Sequence, residues 1–65
     1  MTYKQAMAAV ANDEYAWRTS WPAGTYIYGA DPVGYFTPES ETVYQPTSED
    51  EQATNWDTGD HPPKP

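Results

Sequence analysis

Arg18 and Trp21, three positions apart in Arg18-Thr19-Ser20-Trp21, are the residues whose chemistry best suits a ligand. A planar guanidinium donates paired hydrogen bonds to anions, and a large aromatic face stacks on flat rings. Together they can bracket a flat, anionic group such as a nucleotide. Tyr26 and Trp56 offer further stacking faces. A plainer reading of the same residues has Trp21 capping a small core and Arg18 pairing with a surface carboxylate. A micromolar dissociation constant requires about 8 kcal/mol, whereas stacking on one base is worth roughly 1–3 kcal/mol. One Trp is therefore insufficient, and a homo-oligomer whose pocket is shared between two subunits is expected.

Catalytic chemistry finds little to work with. His61 is the only histidine and lies between Asp60 and Pro62, where a preorganised acid–base role is not expected. There is no Cys, hence no thiol nucleophile, disulfide or thiolate metal site, and no reading of redox compartment. No phosphate-cradling glycine loop, serine elbow or cluster of metal ligands is present in the sequence. Ten acidic residues without a pocket signal make any catalytic pair arbitrary. The expectation is a protein that is not an enzyme, with no catalytic residues, metal or cofactor.

Charge is unevenly placed. Residues 1–30 hold Lys4 and Arg18 against Asp13 and Glu14, a net of zero, while residues 31–65 carry the whole net charge of −7. Direct nucleic-acid binding is disfavoured, because it relies on clustered Lys and Arg to release counterions. Glu49, Asp50 and Glu51 instead provide an alternative partner-binding site, an acidic surface that imitates nucleic acid toward a basic groove. Those three residues also suit the first turn of a helix, where negative charge is favoured.

The elements that position these residues follow from spacing. Tyr3, Ala6, Met7 and Val10 form one apolar stripe, with Thr2 and Gln5 at capping-box spacing and Asn12-Asp13 as a stop, so a helix is expected near residues 3–11. Strands are expected at 14–18, 25–28, 35–37 and 42–45. Pro22 fits the second position of a tight turn between the first two, and Gly24 supplies unusual backbone angles. Tyr26 and Tyr28 should lie on one face of the strand, and Thr25 and Ile27 on the other. After Pro46, Thr47 or Ser48 caps a short helical turn, Ser48 and Glu51 having the capping-box spacing.

Leu is absent, and the branched aliphatics are Val10, Ile27, Val33 and Val43, a poverty that with the net charge points toward disorder. Three Trp, six Tyr and one Phe argue the other way, since ten large rings suffice for a small core. The fold class expected is α+β: an N-terminal helix packed on a small antiparallel β-sheet, a short helical turn near the C-terminus, and a disordered Pro-rich tail. Residues 1–57 form the single domain and 58–65 the flexible tail. No apolar run reaches membrane-spanning length and no signal peptide is evident, so no membrane partner is expected.

Thr2-Tyr3-Lys4-Gln5-Ala6-Met7, Arg18-x-x-Trp21, Tyr26-Ile27-Tyr28 and Tyr44-Gln45-Pro46-Thr47-Ser48-Glu49-Asp50-x-x-Ala53-x-Asn55-Trp56, in this order and spacing, resemble the Thoeris anti-defence type 2 family of small phage proteins. The resemblance spans residues 2 to about 57. It departs at Asn12-Asp13-Glu14, where the family often has Gly-Lys, at Ser20, commonly Gly, and at Asn55, usually Asp. What it implies is sequestration: an oligomeric sponge that binds a cyclic ADP-ribose isomer, or in some members a cyclic dinucleotide, without degrading it, and so starves a host immune effector. Trp21, Arg18 and Trp56 match the family's stacking Trp, its basic residue and its closing Trp. The expected setting is the cytoplasm of the infected bacterial host. The rival expectation is an acidic phage inhibitor that binds a host protein directly, and a third is a virion protein with no ligand.

Overall fold

The computed structural model describes residues 1–63. The stripe at the N-terminus folds as α1 (Tyr3–Ala11). The Thr2 hydroxyl accepts the Gln5 backbone N–H at 3.2 Å, and the Gln5 side chain accepts the Thr2 N–H at 2.9 Å, which satisfies two donors that a bare helix start would leave unpaired. Asn12 caps the other end, and Asp13 turns the chain away at φ 65°. Ala6 and Val10 are buried, and Tyr3 and Met7 pack beside them, as the spacing requires.

Five strands follow: β1 (Tyr15–Arg18), β2 (Tyr26–Tyr28), β3 (Gly34–Phe36), β4 (Glu41–Val43) and, beyond the short helix α2 (Ser48–Gln52), β5 (Trp56–Gly59). They form one antiparallel sheet in the order β4-β3-β2-β1-β5. The last strand therefore crosses back to pair with the first, placing Arg18 opposite Trp56. The strand β5 departs from the expectation that the domain ends at residue 57. Asp57, Thr58 and Gly59 carry no apolar alternation, and their pairing comes from the register set by Trp56 at the sheet edge. The remainder of the expected tail falls partly on residues 64 and 65, outside the described residues.

Register divides the sheet into two faces. Ala16 lies opposite Ile27, and Ile27 opposite Tyr35, on the side that α1 covers. Ala6, Val10, Ala16, Ile27 and Trp56 make the core there, each at most 3% exposed. Thr25 is buried with Ile27, as alternation predicts. The opposite face carries Tyr15, Tyr26, Tyr28 and Phe36. Tyr15 stacks on Tyr28 at 4.2 Å and Tyr26 on Phe36 at 5.1 Å between ring centroids. Chain collapse is complete by area: a compact protein of 7.3 kDa should expose about 4,200 Å², and this one exposes 4260 Å². Aromatic rings thus replace the missing leucines.

Two turns differ in detail from the sequence reading. The Thr25 N–H donates to the Pro22 carbonyl at 3.1 Å, so Pro22 occupies the first turn position and Gly24, at φ 83°, the third. Capping of α2 falls one residue earlier than Ser48–Glu51. Thr47 is the N-cap and Asp50 the reciprocating residue, with the Asp50 N–H on the Thr47 hydroxyl at 3.1 Å. Among the described residues no helix is long and apolar enough to cross a membrane.

Candidate functional site

Arg18 ends β1, and the chain turns at once: the Trp21 N–H donates to the Arg18 carbonyl at 3.0 Å, which brings the indole back over the sheet. There Trp21 meets three other rings edge-on, Trp56 at 5.2 Å, Tyr35 at 5.5 Å and Tyr44 at 6.4 Å. These are favourable edge-to-face separations. Trp21 is half-buried, packed against the core and lining an open cleft of about 760 Å³. The cleft lies between the β1–β2 turn, β3–β4 and α2; Arg18, Trp21, Tyr35, Tyr44, Glu49 and Asp50 are the lining residues that carry rings or charge.

The polar side of the cleft is organised by Asp50. Its carboxylate accepts from Arg18 Nη1 at 3.1 Å and from the Tyr44 hydroxyl at 3.0 Å, and its backbone carbonyl accepts the Trp56 indole N–H at 3.0 Å. Arg18 Nε donates to Asn55 Oδ1 at 3.0 Å, and the Asn55 amide reaches the Ser20 hydroxyl at 3.1 Å. The Arg18 and Asp50 side chains are only 12% and 10% exposed, whereas Glu49, 3.4 Å from Arg18 Nη1, is 83% exposed. One compact network therefore ties β1, the Trp21 turn, β4's C-terminal flank and α2 together. Burial pushes the Tyr44 phenol well above its ordinary range, and its hydrogen bond to the Asp50 carboxylate adds to the shift. Burial also raises Tyr3, with Glu51 and Asp50 contributing by charge.

Of the residues singled out in the sequence, Arg18 and Trp21 line the cleft together. Trp56 lies beneath it, 3% exposed, against the lining residues Trp21 and Asp50. Tyr26 is on the other face of the sheet, stacked on Phe36, and does not join them. Within the acidic run, Asp50 is 7% exposed and bonded internally, while Glu49 and Glu51 are exposed. The sequence did not single out Tyr35, Tyr44 or Asn55 as site residues. Ring type alone marked the tyrosines, and only the β3–β4 register and the crossover to β5 show which of the six turn to this side. Among the described residues no group of three His, Asp or Glu side chains is placed to hold a metal ion.

Neither family models, curated proteins nor solved structures give a match to this chain.

Proposed function

We propose that this protein is a phage-encoded, non-catalytic binder that sequesters a nucleotide immune signal, a cyclic ADP-ribose isomer or a cyclic dinucleotide, and so blocks host anti-phage defence. The observation that carries the reading is Trp21, a half-buried indole held at the wall of an open cleft with Tyr35 and Tyr44 beside it. Here the exposed side offers a stacking surface for a base, fixed in place by its neighbours so that little side-chain entropy is lost on binding. A volume of about 760 Å³ is within the range of small-molecule sites. The element order of helix, strand ending in Arg18-x-x-Trp21, aromatic strand and closing Trp56 also accords with the resemblance.

The test is a calorimetric titration of the protein with cyclic ADP-ribose isomers and cyclic dinucleotides, followed by release of the bound ligand and determination of its mass. Binding by the wild type, return of the ligand unaltered, and loss of binding in Trp21→Ala with the circular dichroism spectrum preserved support the proposal. Equal affinity in the variant removes Trp21 from the site, and a changed ligand mass removes the non-catalytic assignment.

A further inference from the structure

Resting on the reading of this cleft as a base-binding site, we infer that the cleft takes the base of its ligand and leaves the phosphates outside, with Glu49 the residue that turns phosphate away. Two of the three guanidinium nitrogens that a phosphate would seek are already engaged. Arg18 Nε is held by Asn55, Nη1 is shared between Asp50 and Glu49, and the side chain is only 12% exposed. Arg18 is the only Lys or Arg among the described residues that line the cleft, against the two carboxylates of Glu49 and Asp50, so the lining carries a net charge of −1. A phosphate entering would meet a like charge at the cleft mouth, where juxtaposition of like charges is unfavourable. An uncharged aromatic ring meets no such penalty. It finds Trp21 and Tyr35 as apolar walls and the side chains of Thr42 and Gln45 as donors and acceptors for its edge.

The two carboxylates differ in what they do. Asp50 is committed to Tyr44, Thr47 and Arg18 within the fold. Glu49 bonds only Arg18, at the longer distance of 3.4 Å, with its side chain 83% exposed at the cleft mouth. Its charge is therefore the one that an approaching ligand meets first, and the one that can be removed without dismantling the network. Specificity achieved by placing repulsion against the unwanted group is a general device of binding sites.

The experiment is an NMR titration of the full chain with adenosine, AMP and ADP, following the indole N–H resonances of the three Trp residues, for wild type and Glu49→Gln, at low and at high salt. The quantity read is the ratio of affinities. In the wild type at low salt, adenosine should bind about tenfold more tightly than AMP. That ratio should move toward one in Glu49→Gln and again in high salt, because both weaken the repulsion. Tighter binding of AMP or ADP than of adenosine in the wild type overturns the inference while leaving the base-binding site in place. So does a ratio that neither Glu49→Gln nor salt changes. If the folded protein binds none of the three probes, the base-binding reading falls and the inference with it.

Discussion

Replacing Asp50 with Ala should cost this protein about 3 kcal/mol. The substitution deletes the acceptor for Arg18 Nη1 at 3.1 Å, for the Tyr44 hydroxyl at 3.0 Å and for the Thr47 N–H at 3.4 Å. Hydrogen bonds to charged groups contribute roughly 1.5–3 kcal/mol each, and stranding one member of a buried ion pair costs roughly 3–5 kcal/mol. The upper figure does not apply, because Arg18 keeps Asn55 and Glu49 and both side chains retain slight exposure. A domain of this size has a total stability of only about 3–10 kcal/mol, so the loss removes a large share of it. Thermal unfolding followed by near-ultraviolet circular dichroism should show the midpoint falling by roughly 12–24 °C. The double variant Arg18→Met/Asp50→Leu, which removes both charges, should recover part of the loss. A cost below about 1 kcal/mol for Asp50→Ala would show that the buried network contributes little. It would mean that solvent screens the pair and that Arg18 is free to receive an anion.

Other outcomes follow from single features. In Gly34→Ala the new Cβ would lie 2.8 Å from the Phe36 ring, itself stacked on Tyr26. Denaturant unfolding should show a loss of about 1–3 kcal/mol, relieved by adding Phe36→Leu. Thr2→Ala removes the N-cap of α1 and should cost about 1 kcal/mol in the same assay. Tyr44 has its folded pKa raised above the unfolded value of about 10. Its stabilising share is therefore complete below pH 10 and is lost as the pH rises above that value. Ultraviolet titration should show Tyr44 ionising only as the fold is lost, and Tyr44→Phe should flatten the decline in stability above pH 10. Ionisation of all six tyrosines together near pH 10 in a folded protein would contradict this.

Local patterns were legible where one residue type decides the outcome. Thr2 and Gln5 mark the start of α1, the alternation of Thr25 to Tyr28 shows which side chains share a face, and Gly24 takes the backbone angle its turn demands. Less legible was anything that depends on chain crossing. The strand β5 has only Trp56 as an apolar signal, and its pairing with β1 depends on α2 carrying the chain back across the sheet. Asp50 read as first-turn charge because its partners, Arg18 and Tyr44, lie 32 and 6 residues away and are brought to it only by the fold. The site was half visible for the same reason. Arg18 and Trp21 are joined by a local turn, whereas Trp56, a stacking face by its ring type, is 3% exposed with its indole N–H donated to the Asp50 carbonyl. Tyr26 alternated correctly, but the side of the sheet on which the cleft opens is a property of β3, β4 and α2 together.

Native mass spectrometry of the purified protein, first alone and then mixed with cyclic ADP-ribose isomers and cyclic dinucleotides, decides whether it sequesters such a ligand. It reads assembly and ligand mass in one spectrum. Sequestration gives a complex that retains one of these nucleotides at its unaltered mass, and Trp21→Ala spectra without it. A folded wild-type protein that emerges bare from every mixture would contradict the account, and binding to a host protein through Glu49 and Glu51 would then be the reading to pursue.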